Sequence, residues 1–263
     1  MPLSINPQEG WNFQAASAPL VGDIAGTTLV AQNGGSSVVS TANGLELTVG
    51  NALFNTTSNL PSGYLITALP ITWAIVYRRA GTAGASFARV WRHSATVAYE
   101  IGYNPSAAQW YIQGSGFSSV FRTVSSTVGD TVIVFFEVTT TSCTVWNGTT
   151  QVGAVATIAP TTYNEAATDV VEFGRTSALT PEVQVLAAAR FAGSLTAQDR
   201  TDIVADPTLL YTLPPPPSTF SFANTAFSTS AFSVGAFSLQ GDTPPPAPAA
   251  GGYRLRRAPR GGQ

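Results

Sequence analysis

The chain has 263 residues, 44% hydrophobic and only 10% charged, with a formal net charge of −2. The hydrophobic share suffices for a real core, while a charged share far below the usual ~25% leaves the surface to Ser, Thr, Gly, Asn and Gln. A lone cysteine, Cys143, excludes an intrachain disulfide and a cysteine metal cluster, and the lack of lysine excludes a phosphate loop ending in Gly-Lys-Ser/Thr.

The opening residues, Met1-Pro-Leu-Ser-Ile-Asn-Pro7, lack the basic and apolar regions of a secretory leader, so the expectation is a protein assembled in the cytoplasm. From about Trp11 to Tyr211 the chain reads strand, turn, strand. Apolar and β-branched runs at Leu45–Val49, Tyr64–Leu69, Ile71–Tyr77, Phe87–His93 and Thr96–Tyr103 are followed by Gln109–Gln113 and Thr131–Thr139. Thr144–Trp146, Gln151–Ile158, Val170–Phe173 and Val183–Phe191 complete the series. Signals such as Asn43-Gly, Gly114-Ser-Gly, Gly129-Asp and Asn147-Gly punctuate them, which predicts a β-sandwich or barrel. Within Thr131–Thr139, Val132, Val134, Phe136 and Val138 share the core face. The opposite face still carries Ile133 and Phe135, so a loop, the C-terminal helix or a neighbouring subunit must cover it. No run, Val132–Phe136 included, is long enough to cross a membrane.

One helix is expected. Thr196 can cap it, Asp199 completes an Asp version of the capping box, and Pro207 forces Asp206 out of helical geometry. The domain, residues 1–213, then ends at a polyproline spacer, 214–217. Phe222, Phe227, Phe232 and Phe237 recur every five residues in an arm spanning 218–241. A Pro/Gly/Arg-rich tail, 242–263, carries Arg254, Arg256, Arg257 and Arg260. Five is odd, so no single strand face collects these rings. They call for an external surface, with the arginines as further partner-binding groups able to pair with carboxylates. Nucleic acid is the less favoured partner, since four cations give only a modest attraction.

Val132-Ile-Val-Phe-Phe136, Val145-Trp-Asn-Gly-Thr-Thr-Gln-Val-Gly153, Val171-Glu-Phe-Gly174 and Leu195-Thr-Ala-Gln-Asp199 before Asp206-Pro207 occur in a telling order. The order resembles the closing half of the concanavalin-like, laminin-G-type jelly roll. That resemblance implies an all-β, concanavalin-like jelly-roll β-sandwich with one short C-terminal helix, here followed by an extended Pro/Phe-Ser-rich arm. The pentads behind a proline spacer, with an arginine-rich end, resemble tails of tailed-bacteriophage virion proteins.

Nothing in the pattern points to an enzyme. The Glu-x-Asp-x-x-Glu strand of glucan-cleaving members of the wider fold does not occur. Glu46, Glu100, Glu137, Asp169 and Glu172 are isolated strand acids. His93 is the sole histidine, and its alternation with Arg89 and Trp91 suits packing or surface better than catalysis. Cys143 reads as a small strand residue. No catalytic, cofactor or metal residue is assigned, although calcium stays open through Asp23, Asn104, Asn164, Glu165 and Asp169 at loops or loop edges. Trp91, Tyr99, Tyr103, Trp110 and Tyr111 cluster on adjacent strands. The alternation of Tyr99, Ile101 and Tyr103 is a core stripe, with a protein interface or a glycan platform of Trp91, Tyr103, Trp110 and Tyr111 as alternatives. The leading expectation is a non-enzymatic virion structural protein, a capsid decoration or tail appendage. It would join other virion proteins, and copies of itself as a homo-oligomer, through its arm. A lectin-like module for host-surface glycans is the alternative.

Overall fold

The computed structural model describes residues 2–14, 20–31, 40–41, 44–46, 53–55, 60–81, 88–94, 99–104, 107–160, 163, 165–174 and 183–213. By its contacts the chain divides into Met1–Pro214 and Pro215–Gln263, and the described residues lie in the first unit. Phe222, Phe227, Phe232, Phe237, Arg254, Arg256, Arg257 and Arg260 lie outside them.

The strands in chain order begin with β1 (Glu9–Asn12), β2 (Leu20–Val21), β3 (Thr28–Ala31), β4 (Ser40–Thr41), β5 (Gly44–Glu46) and β6 (Leu53–Asn55). Then come β7 (Ile71–Arg79), β8 (Ala88–Ser94), β9 (Tyr99–Asn104), β10 (Gln109–Gly114), β11 (Phe117–Thr123) and β12 (Thr131–Val138). β13 (Ser142–Asn147), β14 (Thr150–Gln151), β15 (Ala156–Thr157), β16 (Val170–Phe173) and β17 (Val183–Phe191) precede helix α1 (Ala197–Ala205). One sheet runs β14-β13-β12-β7-β17-β5-β4, with β1 also on β17 and β15 on β13. The other runs β11-β10-β9-β8-β16-β6-β3-β2. The two sheets form a jelly-roll β-sandwich closed by one short helix.

Aromatic rings fill the space between the sheets. Trp73 meets Tyr99 at 5.3 Å, Tyr77 meets Trp110 at 4.8 Å, and Trp11 meets Trp91 edge-on at 5.5 Å. Val134, Phe136 and Val138 of β12 belong to this core, as the alternation predicts. Cys143 is buried among them, and loss of hydration pushes its thiol up to about 12.

Ile133 and Phe135 belong to a second apolar cluster on the outer face of the nine-stranded sheet, with Ala74, Val76, Ala189 and Phe191. Its cover comes from the same chain: Leu195 and Ile203 of the helical segment, Leu210 of the 3-10 turn Pro207–Leu210, and Leu3 and Ile5. Arg200 adds its guanidinium 4.3 Å above the Trp146 ring. The capping box forms as expected, with Thr196 Oγ1 accepting from the Asp199 amide and the Asp199 carboxylate accepting from the Thr196 amide. That carboxylate also accepts from the Ser4 amide and hydroxyl, tying the opening segment to the helix. Burial raises its pKa, but the hydrogen bonds from Ser4 and Thr196 outweigh burial and hold it below the ordinary carboxylate value. At Gly10 a Cβ would lie 2.0 Å from the Leu210 carbonyl oxygen, so only glycine lets β1 slide under the 3-10 turn.

The elements differ from the sequence expectation in several places. Tyr64–Leu69 is not a strand. Tyr64 and Ile66 are apolar because the segment caps one end of the sandwich, with the Ile66 amide donating to Glu165. Gln151–Ile158 splits into β14 and β15 at Gly153, whose φ of 70° interrupts the extended backbone. The short strands β1, β2, β3, β4 and β6 go unanticipated, and so does β11, because Phe117-Ser-Ser-Val-Phe-Arg-Thr123 alternates too weakly to announce itself.

Candidate functional site: a polar groove on the outer face of the eight-stranded sheet

Strands β8 to β11 and β16 lie side by side, so outward side chains at matching registers form a row. Glu172 pairs with Arg92, Arg92 with Glu100, and Glu100 with Gln113. Ser119, on the edge strand, donates its hydroxyl to Gln113 Oε1 at 2.8 Å. The Arg92 guanidinium lies 3.7 Å from a Glu172 oxygen, and the Tyr111 hydroxyl donates to Glu100 Oε1 at 2.8 Å. Arg92, Glu100, Gln113 and Ser119 of this row line an open groove of ≈ 470 Å³, together with Tyr99, Phe117 and the β10–β11 hairpin at Gly114 and Ser115.

Beyond the residues that line the groove, an aromatic pair lies on the same face of β10 and β11, two residues along from Gln113 and Ser119. Tyr111 faces Phe121 with ring centroids 5.6 Å apart, and Phe121 is 37% exposed, the one aromatic among the exposed large hydrophobic side chains of the described residues. Tyr111 lies flat because its cross-strand neighbour is Gly102, where a Cβ would come within 2.3 Å of the ring. Glycine here provides space for an aromatic rather than an unusual backbone. The result is a planned mixture of carboxylate, guanidinium, amide, hydroxyl and ring face, which suits a polyhydroxylated ligand.

A second polar constellation lies inside the sandwich. Glu165 accepts from Arg190 Nη2 at 2.5 Å, from the Tyr163 hydroxyl and from the Ile66 amide at 2.7 Å. His93 Nε2 and Asp169 Oδ2 share a hydrogen bond of 2.9 Å, and His93 Nδ1 stands 3.6 Å from Glu165. Arg190 stacks 4.1 Å over the Tyr64 ring. Burial depresses the His93 pKa, with Glu165 opposing and the Arg190 charge adding to the effect. Burial also works against the Arg190 charge, but Tyr64, Glu165 and Tyr163 outweigh it and raise that pKa. All six side chains are closed to solvent, so this network holds the loop before β16 against the sheets rather than meeting a ligand.

The sequence candidates separate accordingly. Trp91, Tyr103 and Trp110 point inward and are at most 2% exposed, so no sugar can stack on them; they are core, as their alternation implies. Tyr111 alone of that set is on the outer face, where it anchors Glu100. His93 is a packing residue. Of the calcium candidates, Glu165 and Asp169 are engaged in the buried network and Asn164 lies outside the described residues. Asp23 sits on the turn that wraps Glu9, whose carboxylate accepts from the amides of Gly10, Ile24, Ala25 and Thr27. Those donors satisfy an anion and present no oxygen to a cation. Among the described residues no group of three or more His, Cys, Asp or Glu could hold a metal ion, and no helix is long and apolar enough to cross a membrane.

Phe121, Arg92, Gln113 and Ser119 escape sequence reasoning. The available signal is the outward alternation Glu100-x-Gly102, Tyr111-x-Gln113 and Ser119-x-Phe121, which becomes meaningful once β11 is placed beside β10.

Neither a family model nor a curated protein matches the sequence. Solved structures do. Trypanosoma rangeli sialidase aligns at 10% identity over 78% of this chain and 33% of its own, with a TM-score of 0.55. The ligand-binding domain of botulinum neurotoxin serotype D, solved in complex with N-acetylneuraminic acid, aligns at 8% identity over 77% of this chain and 52% of its own, TM-score 0.60. Another structure of that toxin's binding domain gives 9% identity, 77% and 51% coverage, and a TM-score of 0.57. The shared feature is the β-sandwich fold. The chain spans about a third of the sialidase and half of the toxin domain, so their activity and ligand belong to them.

Proposed function

We propose that the jelly-roll body is a non-catalytic glycan-binding module, and that the outer-face groove is where the glycan sits. The observation that carries this reading is the cross-strand row Arg92, Glu100, Gln113 and Ser119 beside the exposed Phe121. Sugar hydroxyls both donate and accept, and this row offers acceptors next to donors, while Phe121 supplies a surface for the C–H face of a ring. Binding rather than cleavage is favoured by the spacing of the acids. Glu100 and Glu172 stand on strands two apart, hence about 9–10 Å at sheet spacing, and Arg92 occupies the strand between them. That is too wide for a retaining pair, which needs carboxylates about 5–5.5 Å apart, and Arg92 fills the gap in which an inverting pair, about 6.5–9.5 Å apart, would hold its water. A glycan array probed with the wild-type chain and with Phe121→Ala and Arg92→Ala tests the reading. Specific signals lost in both variants support it, and signals that neither substitution changes refute the groove.

A second reading concerns assembly, and the regular Phe222, Phe227, Phe232 and Phe237 favour it. In it the chain is a structural subunit of a tailed-phage particle that displays this module, with the arm and Arg254–Arg260 docking on other virion proteins or on copies of itself. Replacing the four phenylalanines with Ser should then leave a folded body that no longer joins particles; full incorporation of that variant would refute it.

A further inference from the structure

We infer that Arg122 is an edge guard: it clamps one open side of the sandwich shut, so that β11 does not take up a strand from a second copy of this chain. This rests on neither the glycan-binding nor the assembly reading. It concerns the surface through which two bodies would join, and the residue that closes it.

Of the four strands that end the two sheet orders, β14, β4 and β2 are two residues long. β11 runs seven, Phe117–Thr123, and among the described residues it pairs with β10 alone. A long edge strand offers a row of amide and carbonyl groups on which another strand can build. Val120, Phe121 and Thr123 favour extended backbone, and Arg122 is the strand's sole charged residue. Two copies meeting there would join about a two-fold axis, the same strand serving on both sides.

Arg122 opposes this. It stands opposite the core residue Trp110, so its side chain starts on the inner face of the sheet and leaves through the side of the sandwich. Nη1 donates to the Phe121 carbonyl of its own strand at 2.7 Å. Nη2 donates at 2.6 Å to the Ala154 carbonyl, in the segment between β14 and β15. One planar guanidinium thus holds the edges of both sheets, where facing sheets otherwise stand about 10 Å apart. Gly153 leaves room for it, since a Cβ there would lie 3.0 Å from Nε and 3.1 Å from Cδ. Asn147 of β13 adds a second tie, its Nδ2 donating to the Ser125 carbonyl at 3.3 Å. Both acceptors of Arg122 are carbonyls, so the positive charge persists at the edge and opposes a second copy bringing the same charge. Cys143, cross-strand from Ala156, is buried behind this seam.

The test compares the full chain with its Arg122→Met variant, which keeps an apolar stem and removes the fork. The lone Cys143 thiol should react with a maleimide at least about tenfold faster in the variant, as losing a charge-assisted hydrogen bond at the seam implies. Light scattering should show a species of twice the wild-type mass, and hydrogen exchange in residues 117–123 should slow as protein concentration rises. Adding Phe121→Lys to the variant places a further like charge on the strand and should return the mass to that of the wild type. If Arg122→Met does not fold, Arg122→Lys, which holds one carbonyl at a time, carries the same comparison with smaller changes. Unchanged labelling or unchanged mass in the variant that folds would overturn the inference. So would association that Phe121→Lys leaves in place, or concentration-dependent protection of residues 117–123 in the wild-type chain.

Discussion

Arg190→Met is the sharpest perturbation of the buried network. Arg190 is fully buried, and its guanidinium touches Glu165 at 2.5 Å and covers the Tyr64 ring at 4.1 Å. Methionine preserves much of the volume but removes the charge, leaving the Glu165 carboxylate inside the sandwich without its guanidinium, beside His93 and Asp169. Breaking one side of a buried ion pair costs about 3–5 kcal/mol. For a body of this size 1 kcal/mol moves the melting temperature by about 2–4 °C, so the variant should melt roughly 10 °C lower. Replacing both partners, Glu165→Leu with Arg190→Met, should recover a substantial part of that loss, because no orphaned charge remains. Calorimetry at pH 7.5 measures both. An independent readout is the His93 titration followed by NMR, which should move upward in Arg190→Met because a repelling cation has gone. A single variant melting within about 2 °C of wild type, or a double variant showing simple additivity, would refute the reasoning.

Three further outcomes follow from the same geometry. Burial holds the folded-state His93 pKa below its unfolded value, so the unfolded chain takes up the proton first as pH falls below about 6.5. Stability should accordingly decline from pH 7.5 to 5.0, and His93→Gln should flatten that slope, which is diagnostic because the chain has no second histidine. Asp199→Ala removes the reciprocal half of the capping box and the acceptor for Ser4, while Thr196 stays as the cap; it should cost about 1–2 kcal/mol and raise hydrogen exchange in residues 2–8, and unchanged exchange there would refute the tie. Gly102→Ala should displace the Tyr111 ring and release Glu100, with a modest stability loss of about 1–3 kcal/mol, a changed near-ultraviolet circular dichroism and loss of glycan binding; an unaltered spectrum would refute the packing.

The amino-acid sequence by itself determined that this body is built of strands, as a sandwich or a barrel, that its single helix starts at Thr196 and ends before Pro207, and that β12 is apolar on two faces. Each of these is a local property, a period of two residues, a capping box or a proline, and survives without knowing what lies across the fold. The tertiary structure decided the rest. In β17 an extra residue at Leu186 shifts the register between Val185 and Ala187, which turns Arg190 inward and sends Ala187, Ala189 and Phe191 toward the helix. Strict alternation from Val183 and Val185 would have pointed Arg190 the other way. A similar shift in β8 between Arg89 and Trp91 lets Val90, Trp91 and His93 all reach the interior. The polar row depended on strand order in the same manner, since Glu172, Arg92, Glu100, Gln113 and Ser119 come from distant stretches and meet only when β16, β8, β9, β10 and β11 lie side by side. Periodicity tells which residues share a face of one strand, but bulges and neighbours, set by packing over the whole core, determine where that face points and what stands beside it.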